Sequence, residues 1–167
     1  SVVILTCFLI TLWGASIRYT VPMLFALAFL PMFAIGGLTG LPLGLTTSDI
    51  YLHDTYYVIG HFHYVVAPGT LLALFAGIYF WYPKATGRYM NESLGKLHFW
   101  GSFIAMNGIF FPMLIQGMRH VNRRLWDQTQ YAHGAEVQGL SEFQFYSALL
   151  LGAVQLLFIF NFFKSMR

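Results

Sequence analysis

Long apolar runs broken by short polar clusters dominate the chain. Five runs stand out, Ser1 to Trp13, about Tyr19 to Leu45, Tyr56 to Tyr82, Leu97 to Met118 and Phe143 to Phe163. A helix needs roughly 20 apolar residues to cross about 30 Å of hydrocarbon, which the last four runs supply and the first falls short of. Unpaired backbone groups are too costly in lipid for open strands, so all five runs are predicted helices. The pattern therefore predicts an all-α, polytopic transmembrane bundle of five spans. Pro22, Pro31 and Gly36-Gly37 in the second run predict a kinked helix packed among neighbours rather than a lone span.

Composition strengthens this reading. Of 167 residues, 57% are hydrophobic and only 9% charged, against about 25% charged in soluble domains. So little charge cannot cover a surface facing water, and membrane lipid is the expected solvent. A net charge of +3, scattered along the chain, gives no footprint for nucleic acid. Cys7 is the single cysteine, which excludes an internal disulfide and predicts a small buried hydrophobe. The chain opens within an apolar run, with neither Met nor a basic flank, so it reads as a piece of a longer or split subunit rather than as a signal peptide. Arg18, Lys84, Arg88, Lys96, Lys164 and Arg167 fall on one side of the predicted spans with Glu92. Asp49, Asp54, Asp127, Glu136 and Glu142 fall on the other with Arg119, Arg123 and Arg124. The first side is predicted to be cytoplasmic, or matrix in a mitochondrion. Trp13, Tyr19, Trp81 and Tyr82 sit at predicted boundaries, as interfacial anchors do.

One stretch breaks the apolar pattern. His53 to Tyr64 reads His-Asp-Thr-Tyr-Tyr-Val-Ile-Gly-His-Phe-His-Tyr, and places His61 and His63 inside a span. Ionisable groups are expensive there and mark function. Residues two apart on a helix point about 200° apart, so one helix can offer an imidazole to each of two cofactors on opposite faces. A single chelated metal favours spacings of three or four. Histidine is a usual axial ligand of haem iron. Gly60 removes a side chain where a flat macrocycle could approach, although helix packing explains a glycine equally well. A transporter or a structural bundle with a histidine proton path is the competing class. It leaves the spacing of two unexplained.

From Gly36-Gly37-Leu38-Thr39-Gly40 through Asp49, His53-Asp54-Thr55-Tyr56-Tyr57 and His61-Phe62-His63-Tyr64, the chain closely resembles subunit I of the haem–copper terminal oxidases. The resemblance continues through Tyr82-Pro83, Phe110-Phe111-Pro112 and Gly117-Met118 to Arg123-Arg124. It covers nearly the whole chain and implies the C-terminal five-helix portion of a twelve-helix subunit, here residues 1–167. It implies His61 as ligand of a high-spin haem that faces copper, and His63 as one axial ligand of a low-spin haem, with Phe62 between them. It further implies His53 and Asp54 at a magnesium or manganese ion, Arg123 and Arg124 on haem propionates, and Asp49 near those propionates. His98, His120 and His133 match no ligand position and are expected to be structural or surface groups.

The resemblance also implies an activity. Electrons would come from cytochrome c, through a copper centre on a partner subunit, to the haem–copper pair that reduces dioxygen to water with proton translocation. The expected partners are the remaining helices of subunit I, oxidase subunits II and III, and cytochrome c. The expected location is a bacterial plasma membrane or the mitochondrial inner membrane. The copper ligands lie outside this chain, so the chain alone is expected to be inactive. A quinol oxidase of the same superfamily is the nearest alternative, and His53-Asp54 resembles the cytochrome c type more. Ile4 falls where many members carry a proton-feeding lysine, a departure that leaves the proton route open.

Overall fold

The structure, a computed structural model, describes residues 2–166, the side chains of Ala132 and His133 excepted. The expectations for His133, Ser1 and Arg167 lie outside the described residues. Six α-helices follow in order, α1 Val2–Leu12, α2 Val21–Gly44, α3 Thr46–Leu52, α4 Tyr56–Thr86, α5 Glu92–Met118 and α6 Ala132–Met166, with a 3-10 turn at Gln128–Gln130. Among the described residues the only extended pairing is the isolated bridge between Thr55 and Asn122. Helices α2, α4, α5 and α6 are long and apolar enough to cross a membrane, and α1 is apolar but has 11 residues. The chain is thus a polytopic helical membrane protein.

Capping decides where these helices begin and end. The Thr55 hydroxyl accepts from the Tyr57 amide at 3.2 Å and starts α4. Gly87, at φ 70°, ends it in the left-handed conformation that glycine adopts without penalty. Asn91 accepts from the Leu94 amide and starts α5 well before the apolar run, with Glu92 and Lys96 paired at 3.2 Å on its exposed first turns. Helix α2 continues through Pro31, and α4 through Pro68.

The four long helices pack in sequence, α2 against α4, α4 against α5 and α5 against α6. Phe25, fully buried, centres the core against Phe75 and Phe99, with ring centroids 5.6 and 5.0 Å away. Glycines set the closest approaches. A Cβ at Gly60 would meet the Leu114 side chain at 2.9 Å and its amide at 3.1 Å. Gly60 therefore faces α5, and its close approach to Leu114 is enough to require a glycine there. Helix α1 has no buried residue and touches α2 through Phe8 and Phe29. Cys7, expected to be buried, is exposed for that reason. Trp13, Tyr19 and Trp81 are exposed as expected, whereas Tyr82 is buried against Phe162.

Candidate functional site

The alternating helix directions bring the end of α2, helix α3, the start of α4 and the end of α5 to one end of the bundle. His61 and His63 lie on the second turn of α4, about 7.5 and 10.5 Å along the helix from its first residue. Their side chains diverge, as the spacing predicts. His61 turns toward α2, where its Nδ1 lies 2.8 Å from the Gly36 carbonyl and 3.2 Å from Thr39 Oγ1. The Thr39 hydroxyl hydrogen is directed back to Ile35 and Gly36, so its oxygen is an acceptor toward the ring. His63 turns toward α5. Its Nδ1 lies 2.8 Å from the Ile59 carbonyl, and its ring stacks on Phe110 with centroids 5.0 Å apart.

A carbonyl can only accept, so Nδ1 carries the proton in both rings. Each ring is thereby held as the tautomer with a lone pair on Nε2. This is the arrangement that orients metal-binding histidines. Both imidazoles are only partly covered by this chain, and Phe62 between them is exposed. Among the described residues no three His, Cys, Asp or Glu side chains converge as a metal cage. Each imidazole instead presents a single Nε2 lone pair, held in a fixed direction by its Nδ1 bond.

A second cluster lies at the same end. Asp49, in the first turn of α3, places Oδ2 3.9 Å from His53 Nδ1, and His53 Nε2 lies 3.3 Å from Asp54 Oδ2. Arg123 donates from Nε to Asp54 Oδ1 at 2.7 Å and adds a contact from Nη2. The Arg123 amide donates to the Asp54 carbonyl, and the Tyr56 amide to the Val121 carbonyl, each at 2.9 Å. The Arg123 guanidinium holds the Asp54 carboxyl below its ordinary value of 3.8. Asp54, His120 and Arg124 have φ of 57°, 58° and 66°, a region costly for residues other than glycine. Strain of this kind persists where surrounding bonds impose it, and here the two loops are stitched together. Arg124 is exposed beside the pair and makes no ion pair among the described residues.

The structure thus brings Asp49, His53, Asp54 and Arg123 together, sets Arg124 next to them and places His61 and His63 deeper on α4. His98 is fully buried between Tyr79 and Gln155, a structural group as expected. His120 is exposed, with Nδ1 3.3 Å from the Tyr51 carbonyl. The partners of the two imidazoles were not singled out from sequence. The clue was the four-residue spacing of Gly36 and Gly40, since a Cβ at Gly40 would meet His61 Cε1 at 2.7 Å.

Fold and site together define a helical membrane protein that presents two oriented imidazoles from opposite faces of one span. The chain belongs to the cytochrome c and quinol oxidase polypeptide I family, whose model matches residues 1–162. It is 46% identical over 156 residues to a cytochrome c oxidase subunit 1 of Synechocystis, covering 93% of this chain and 27% of that protein. It is 50% identical over 115 residues to that of Thermostichus vulcanus, covering 69% and 21%, and 45% identical over 141 residues to that of Cereibacter sphaeroides, covering 84% and 25%. The chain spans about a quarter of the length of these relatives.

Proposed function

We propose that this chain forms part of the catalytic core of a terminal respiratory oxidase that takes electrons from cytochrome c. When bound, a low-spin haem and a high-spin haem paired with copper supply electron transfer and the reduction of dioxygen to water. The observation that carries the reading is the pair of Nδ1-anchored imidazoles on opposite faces of α4. His61 would hold the high-spin haem and His63 the low-spin haem, each through its Nε2 lone pair. Each backbone carbonyl fixes its ring's orientation and raises the basicity of the ligating nitrogen.

Arg124, which makes no ion pair among the described residues although its charge acts on Asp54, is the guanidinium best placed to fork onto a propionate carboxylate. Arg123 spends part of its fork on Asp54 and reaches a propionate with what remains. Asp49 lies beside this pair and takes a position near the propionates. His53 Nε2 and Asp54 Oδ2, 3.3 Å apart, match neighbouring ligands of a magnesium or manganese ion, which stand about 3 Å apart at octahedral bond lengths. The remaining ligands come from water and from outside this chain. The copper ligands also lie outside it, in the remaining helices of subunit I, and subunits II and III complete the complex. The basic end, with Lys84, Arg88 and Lys96, faces the cytoplasm or matrix, from which protons are taken up.

Reduced-minus-oxidised optical spectra of the purified complex, with and without carbon monoxide, test this. Two haem populations are expected, only one of them binding carbon monoxide. His63→Ala removes the low-spin signal, and His61→Ala removes the carbon monoxide response. A complete complex without haem sinks the oxidase reading and brings the transporter class forward. The family also includes quinol oxidases, and turnover with reduced cytochrome c, absent with a quinol, separates the two donors.

A further inference from the structure

The basic end of the bundle contains a cleft that no part of the oxidase reading uses. It has a volume of about 390 Å³ and lies where the start of α2, the end of α4 and the start of α5 converge. Its walls are apolar and aromatic, formed by Val21, Pro22, Phe80 and Tyr89 among others. At its rim the Lys84 ammonium sits 3.9 Å above the centre of the Phe80 ring. Glu92 also lines the cleft, but its carboxylate is engaged by Lys96 at 3.2 Å, and among the described residues Lys84 has no carboxylate partner. Thr20, also in the lining, starts α2 without a side-chain cap. The amide end of that helix therefore adds positive potential to the same cleft.

An aromatic, apolar trough at the end of a membrane bundle, with a cation at its mouth that has no carboxylate partner among the described residues, complements an anionic phospholipid. We propose that the cleft binds an anionic phospholipid of the bilayer, its phosphate at Lys84 and the upper part of an acyl chain against Phe80 and Tyr89. Basic pockets between transmembrane helices recognise such headgroups through this combination of charge and depth. Charge complementarity selects the lipid over a neutral one. Lys84 is exposed, so its ammonium, seated over the Phe80 ring, is open to the headgroup region as well.

The test uses the complete complex in nanodiscs containing phosphatidylglycerol with a diazirine near the start of one acyl chain. After illumination, label is expected on peptides carrying Phe80 and Tyr89. Lys84→Gln lowers that label about five-fold, the effect of one basic residue at the membrane surface, and Lys84→Arg restores it. Lys164→Gln, a cation at the same end but outside the cleft, leaves it unchanged. Equal labelling by a phosphatidylcholine probe, or labelling indifferent to Lys84→Gln, overturns the proposal. So does an absence of label at both aromatics, which means that another protein segment fills the cleft. None of these outcomes depends on haem content, so the proposal and the oxidase reading fail separately.

Discussion

The orientation of His61 rests on a bond to the Gly36 carbonyl and on the absence of a side chain at Gly40. An alanine methyl there would stand 2.7 Å from His61 Cε1, and the ring would have to rotate and give up its Nδ1 bond. Alanine is a better helix former than glycine, so any loss in Gly40→Ala reports on the ring and not on α2. Removing the outer partner of a metal-binding histidine typically costs about 10- to 100-fold in affinity. Gly40→Ala is expected to deplete the carbon monoxide-binding haem, measured as haem per complex and as the carbon monoxide difference spectrum. The low-spin signal that depends on His63 should persist. Thr39→Val removes the weaker of the two acceptors and should produce the same change to a smaller degree. An unchanged carbon monoxide spectrum in Gly40→Ala would show that the ring has another stable orientation.

At the scale of elements, the site is positioned by how closely α4 and α5 meet. A Cβ at Gly117 would fall 1.9 Å from the Tyr57 amide nitrogen, which is backbone and cannot swing aside. Gly117→Ala must therefore push the start of α4 away, and overpacking of this kind costs about 1–3 kcal/mol or more. Gly139→Ala on α6 meets nothing within 4 Å and should gain roughly 0.5–1 kcal/mol from helix propensity alone. Thermal denaturation of the complex should move in opposite directions for the two. The loop after α5 titrates separately. The Thr129 hydroxyl and amide hold the Asp127 carboxyl below 3.8. A lowered carboxyl value means that its stabilisation is present above the unfolded value and is lost as pH falls through the folded one. Hydrogen exchange in the 127–131 segment, corrected for intrinsic rates, should stay protected from neutral pH down to 3.8 and open below it. The four long spans were legible because lipid demands continuous apolar runs. The starts of α5 at Glu92 and α6 at Ala132 were not, since both helices extend beyond their apolar runs with polar turns. Helix α3 and the 3-10 turn escaped for the same reason, being short, polar and held by loop contacts. The histidine pair was legible from its spacing of two, whereas the partners of each ring depend on which helices pack together, and that is not local information.

Across the whole molecule, the seam between α5 and α6 joins the two ends of the bundle through polar side chains. Lipid tails are as apolar as leucine, so burying hydrophobic surface does little to hold one span against another. At the site end Gln116, fully buried, donates to Ser141 at 2.9 Å and accepts from Gln144 at 2.9 Å. In the middle His98 donates to Gln155, which in turn donates to Ser102. At the basic end Asn161 accepts from the Asn91 amide and donates to the Asn91 carbonyl, both at 3.0 Å. Removing one partner of a buried polar pair leaves the other with the cost of an unmade bond, about 1–3 kcal/mol. Gln116→Leu leaves Gln144 without its acceptor and Ser141 with only its bond to Gln128, and should destabilise the complex more than Gln144→Leu, which leaves Gln116 its bond to Ser141. The double variant removes the stranded acceptor–donor pair together and should be less destabilised than the sum of the two single changes. Coupling between such groups in membrane bundles averages about 0.6 kcal/mol and reaches about 1.7. A denaturation cycle over the four proteins reads this term directly. A coupling of zero would mean that the Gln116–Gln144 link of the seam contributes nothing to holding α6 in place.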